Sequence, residues 1–156
     1  MGAAASLPSG RLAELRAASL EAAKRRGELA RWAQGAGPLE RAAADVVQGI
    51  AFAAAFLLSG RFGPHGLCLH RRRTHEPCAE CDAWAARARD VSGELELEEL
   101  EAERRRRMLE ELGRWAAAYR GISDRELGRA LAEGLELARG YVLTGRLEVL
   151  GEAADR

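Results

Sequence analysis

The chain has 156 residues, enough for one domain with a real core, and its 24 basic and 24 acidic residues cancel to a formal net charge of zero. That balance excludes a global field that would draw the protein onto nucleic acid or an anionic membrane. Lys24 is the only lysine among the basic residues, a bias of GC-rich coding that weakens any argument from arginine abundance alone.

The start, Met1-Gly2-Ala3-Ala4-Ala5-Ser6, matches the N-myristoylation pattern, but no basic cluster follows to supply the second signal that stable anchoring needs. It has neither the basic start nor the apolar run of a secretory leader. Residues 1–9 are expected to form a flexible N-terminus, 10–150 a single helical domain and 151–156 a flexible tail. A first helix is predicted over 10–34, where Leu12, Leu15, Ala18, Ala22, Leu29 and Ala33 fall near one face and Gly27 is a weak point. Gly35-Ala36-Gly37 ends it, and Pro38 suits the first turn of a second helix over 38–59.

That second helix is the most apolar segment. Leu39, Ala43, Val46, Val47, Ile50, Ala53, Ala54 and Leu57 make one face, and Phe52, Phe56 and Leu58 widen it. A helix apolar nearly all round belongs at the centre of a bundle or in an oligomer interface. Its apolar run is shorter than the roughly 20 residues a bilayer requires, so no transmembrane segment is predicted. Pro77 suits the first turn of a third helix reaching Asp90, with Cys78 and Cys81 in its first turns.

A long charged fourth helix is predicted over 94–120, with Leu97, Leu100, Met108, Leu112, Trp115 and Tyr119 on one stripe. Glutamates precede the run Arg104–Arg107, so Glu101–Arg105 and Glu103–Arg107 are expected as i,i+4 pairs on a solvated face. Ser123-Asp124-Arg125-Glu126 reads as a capping box opening a fifth helix, whose buried face is Leu127, Leu131, Leu135, Ala138 and Val142. No strand-like alternation or internal repeat is visible, so the fold class is all-α, a bundle of about five helices.

All three cysteines and all three histidines lie between residues 65 and 81. An odd number of cysteines confined to one segment argues against a disulfide framework and for a metal site in a reducing, cytoplasmic setting. Zn²⁺ takes four N/S ligands tetrahedrally, so Cys68, Cys78 and Cys81 leave one ligand to find. His65 is the first choice, giving His65-x2-Cys68-x9-Cys78-x2-Cys81 with the leading pair in a Gly-Pro-His-Gly turn. His70 is second, giving the less usual Cys68-x-His70-x7-Cys78-x2-Cys81. His75 is third. The expected centre is one structural zinc in a 61–81 loop between the second and third helices.

Other chemistries fit less well. His75-Glu76-Pro77-Cys78-x2-Cys81 shares residue types with zinc deaminases, but His and Glu are adjacent and touch the Pro-Cys segment directly. There is no His-Glu-x2-His, no glycine-rich phosphate loop after a strand and no βαβ context for a redox Cys-x2-Cys. Iron–sulfur clusters usually take four cysteines.

The segment His70-Arg71-Arg72-Arg73-Thr74-His75-Glu76-Pro77-Cys78-Ala79-Glu80-Cys81 resembles the His-x7-Cys-x2-Cys segment of small actinobacterial and phage proteins, which implies metal binding. It is also similar to the His-x3-Cys-x2-Cys motif that opens a helix in zinc-containing anti-sigma factors. Here the nearest match, His75-x2-Cys78-x2-Cys81, is one residue shorter.

These readings together predict a non-enzymatic regulatory or adaptor protein that binds a protein partner, or a second copy of itself, through helix surfaces. The alternative is a nucleic-acid-binding protein whose zinc loop presents Arg71, Arg72 and Arg73 to phosphates. No small-molecule substrate is inferred.

Overall fold

The computed structural model describes residues 2–147, with side chains from residue 10 onward. It is all-α: among the described residues there are five α-helices and no strand, apart from one isolated bridge between Phe62 and Leu67. The helices are α1 (Gly2–Trp32), α2 (Ala44–Ser59), α3 (Ala79–Asp90), α4 (Glu94–Arg120) and α5 (Arg125–Thr144). The expected tail 151–156 lies outside the described residues.

Several boundaries differ from expectation. α1 begins at Gly2, so the backbone of residues 2–9, expected as a separate N-terminal segment, continues the first helix. The second helix opens at Ala44, not Pro38. Pro38 sits instead in a short 3₁₀ turn, Gly37–Leu39, because Gly37 takes a left-handed φ of 61° and Leu39 is driven into the core at 1 % exposure. Cys78 stands outside the third helix as its N-cap, which leaves Pro77 before the cap. The fifth helix is capped by Asp124, which accepts from the Leu127 N–H at 3.1 Å, and not by Ser123. α4 spans the predicted residues.

α2 is central, packing most extensively on α5 and also on α1 and α4. Ile50, Ala53, Phe56, Leu112, Ala116, Leu135 and Ala138 form the middle of the core, fully or almost fully buried. α2 and α5 approach to backbone contact. A Cβ on Gly49 would collide with the Leu131 carbonyl, and one on Gly134 with the Val46 carbonyl and, at 2.8 Å, with the Gly49 Cα. Only glycine at both positions permits that crossing.

α4 contributes Leu100, Met108, Leu109 and Leu112, while Leu97, assigned to the same stripe, is 39 % exposed. α3 is different, with no buried residue at all. No helix among the described residues is long and apolar enough to cross a membrane.

Candidate metal centre

The segment after α2 is a chain of tight turns. Gly60 ends α2 with a left-handed φ of 76°, its N–H donating to the Phe56 carbonyl at 2.7 Å. Phe62 and Leu67 then pair, N–H to carbonyl in both directions at 2.8 and 2.9 Å, across the four-residue turn Gly63-Pro64-His65-Gly66. Gly63 and Gly66 both take positive φ. This turn explains why His65 is not at the centre: it rides on the exposed tip of the hairpin.

The next turn brings in His70. The Arg71 N–H donates to the Cys68 carbonyl and the Cys68 N–H to the Arg72 carbonyl, each at 2.9 Å. Arg71 adopts a left-handed φ of 63°, the one non-glycine residue to do so among those described. The backbone is therefore folded back at this point, closing a tight turn around His70. His70 Nδ1 lies 3.3 Å from Cys81 Sγ and 3.4 Å from Cys78 Sγ, and Cys68 Sγ lies 3.8 Å from Cys78 Sγ. The four donor atoms all fall within 4.8 Å of one another. His65, the first choice for the fourth ligand, is thus replaced by His70, and His75 is exposed in the turn that Arg73 and Glu76 close.

These residues fit a tetrahedral metal ion. Zn–S bonds of about 2.3 Å and Zn–N bonds of about 2.0 Å place neighbouring donors about 3.5–3.8 Å apart, close to the separations found here. Ligation through Nδ1 leaves Nε2 to carry the ring proton. The backbone prepares the thiolate form. Burial opposes ionisation of Cys68, but hydrogen bonds from the N–H groups of Arg72 and His70, with contributions from Cys81 and Cys78, outweigh it and hold this thiol below its usual range. Cys78 Sγ accepts from the Cys81 N–H at 3.3 Å, which caps α3 with a ligand sulfur. The Cys81 thiol is pushed up to about 12 by burial and by the adjacent Cys78 and Cys68 sulfurs. Three neighbouring thiolates need a cation between them, as a metal centre supplies.

The loop is fastened to α4 by side chains outside the donor set. Phe62, 1 % exposed, stacks on Trp115 with centroids 4.6 Å apart and planes 12° apart. Arg71 donates from Nε to Glu111 at 2.8 Å and places its guanidinium 4.6 Å from the Trp115 ring centre. Glu111 is only 3 % exposed and takes a second guanidinium, from Arg114, at 3.0 Å. All three arginines are exposed, but Arg71 alone is tied to α4 through Glu111 and Trp115. Sequence reasoning missed Glu111. The signal was present: it stands three residues after Met108 and four before Trp115, a carboxylate on the apolar stripe.

The arginine run on α4 pairs differently from expectation. Glu101–Arg105 and Glu103–Arg107 are not ion pairs; Arg106–Glu110 is, at 2.6 Å, and Arg104 lies 4.3 Å over the Trp84 ring of α3. Half-buried Arg105 and the Trp84 contact show that this face is partly covered by α1 and α3.

No family model, no curated protein and no solved structure matches this chain.

Proposed function

We propose that this chain is a zinc-stabilised, non-enzymatic regulatory or adaptor protein that acts by binding a protein partner or a second copy of itself. The observation that carries the structural role of the metal is the four-donor shell of Cys68, His70, Cys78 and Cys81, joined to a helix that buries nothing of its own. Four protein donors leave no position for a reactive water, the condition that separates structural from catalytic zinc. Leu20, Leu58 and Leu143 stand 73, 57 and 52 % exposed on three helices and are the side chains whose substitution tests contact with another protein.

Two measurements test this reading. Metal analysis of the wild type and of single histidine variants is expected to find one zinc per chain, lost in His70→Ala and retained in His65→Ala and His75→Ala. The cobalt-substituted protein is expected to show a tetrahedral d–d spectrum that azide does not change. An azide-induced change would reveal an open coordination position and argue for an enzyme. Light scattering over a concentration series then tests self-association, with Leu20→Ser and Leu58→Ser expected to shift it towards monomer.

A second reading is nucleic-acid binding through the loop, favoured by the exposure of Arg72 and Arg73. It predicts a gel shift that weakens with salt and is lost in Arg72→Ala/Arg73→Ala. No shift at low salt sinks it.

A further inference from the structure

A polar cavity of about 280 Å³ is bounded by α1, the end of α2, α3 and α4. Its walls include Ser19, Arg26, Trp84, Arg104 and Arg105, with Glu101 the one carboxylate. Three arginines therefore line a half-open space with one acidic group. Three buried side-chain nitrogens lack a hydrogen-bond partner among the described residues, and two of them, Arg26 Nε and Trp84 Nε1, belong to residues lining this cavity. Both atoms are donors only, so each lacks an acceptor. A buried donor without an acceptor is costly, and two such donors beside one cavity favour an acceptor-rich occupant.

The charge balance points the same way. Burial, and then the positive charge of Arg26, lower the pKa of Arg105, with Glu101 and Glu98 only partly offsetting them. Two like charges held together in a half-buried site are relieved by an anion between them. The carbonyl end of α2, Leu57 to Gly60, also borders the cavity and carries partial negative charge, which the guanidiniums outnumber.

We propose that this cavity is a binding site for a phosphate-type oxyanion, held by Arg26, Arg104 and Arg105 against the Trp84 indole. The donors sit on different walls, and an oxyanion with acceptors in four directions meets them better than a planar carboxylate with two. Guanidiniums favour phosphate through paired, charge-assisted hydrogen bonds. The site needs α3 in place to supply Trp84, so it exists in the metal-loaded protein.

The test is titration of the zinc-loaded, ¹⁵N-labelled protein with inorganic phosphate at constant ionic strength, following the indole N–H signals of Trp32, Trp84 and Trp115. The Trp84 signal, assigned with Trp84→Phe, is expected to shift saturably with phosphate and not with acetate. Arg26→Gln and Arg105→Gln are each expected to weaken binding about tenfold or more. In parallel, phosphate is expected to raise the wild-type melting temperature, and this gain should disappear in both variants even if one of them melts lower. A glycerol phosphate arm separates sources: tighter binding than inorganic phosphate identifies an organic phosphate ligand, equal or weaker binding a free oxyanion. A Trp84 signal that does not saturate, an equal response to acetate, or unchanged binding in both arginine variants would overturn the proposal and leave the arginines as partners of the α2 carbonyl end.

Discussion

The α2–α5 pair and the segment from Gly60 to Asp90 solve the same problem by opposite means. α2 and α5 meet backbone to backbone at Gly49 and Gly134, with apolar side chains closing the core on either side. The loop and α3 bury almost nothing beyond Phe62, Cys68 and Cys78, and are held by a few directional contacts: four donor atoms, a Phe62–Trp115 stack and an Arg71–Glu111 ion pair. Contact spread over many atoms is robust to conditions but unforgiving of volume. Contact concentrated in a few polar groups tolerates substitution around it but depends on each member. The two regions should therefore respond differently to the same insult.

The largest expected difference follows metal removal. Structural zinc sites contribute on the order of 10 kcal/mol of binding free energy. A chelator should abolish amide-exchange protection across α3 and the 61–78 turns while α2 and α5 stay protected. Simultaneous loss in both regions would show that they are one cooperative unit and break the comparison.

Next comes volume at the crossing. Gly134→Ala places a methyl against the Val46 carbonyl and should cost about 3 kcal/mol in urea unfolding, because rigid backbone must move. Gly140→Ala, on the same helix with nothing within 4 Å of the new carbon, should instead stabilise by about 0.5–1 kcal/mol. Equal signs for the two would refute the close-contact account.

Arg71→Ala should cost about 1–2 kcal/mol, since Arg114 still faces the buried Glu111 and half of the Arg71 side chain is already exposed. Zinc content should be unchanged, and a loss of zinc would make Arg71 part of the centre's support.

The smallest effect is a pH dependence on the bundle side. Burial, and then its hydrogen bond to Glu28, push the Tyr141 hydroxyl from 10.0 up to about 12. A raised folded-state value means that stability from this proton is fully present below pH 10 and lost as pH rises through 12. Tyr141→Phe should remove that alkaline dependence from melting curves taken between these values, and a variant curve that still falls in parallel would assign it elsewhere.

The helical periodicity in the sequence located α1, α2, α4 and α5, because an apolar stripe with a period of 3.6 records which face is buried, whereas α3, which buries no residue, was placed by Pro77. Caps and turns were less legible. Pro38 satisfies a helix start and a 3₁₀ turn equally well, and only the burial of Leu39 decides between them. The three cysteines could be read as metal ligands from residue type and spacing. The choice among histidines could not, because it depends on two backbone turns, one lifting His65 onto a hairpin tip and one closing His70 over Cys68 through a left-handed Arg71. The Gly49–Gly134 contact was invisible for a related reason: it joins residues far apart in sequence, and glycine leaves no periodic signal.

The composition of the donor set has an electrical consequence. Three thiolates and a neutral imidazole around a divalent cation sum to one negative charge. On the zinc reading, that anionic centre sits beneath a turn made of three consecutive arginines, one of which donates its backbone N–H to a ligand sulfur. The side chains of Arg72 and Arg73 stay exposed above it, while that of Arg71 is already paired with Glu111. A ligand approaching the loop from outside would meet a positive charge already partly neutralised from within.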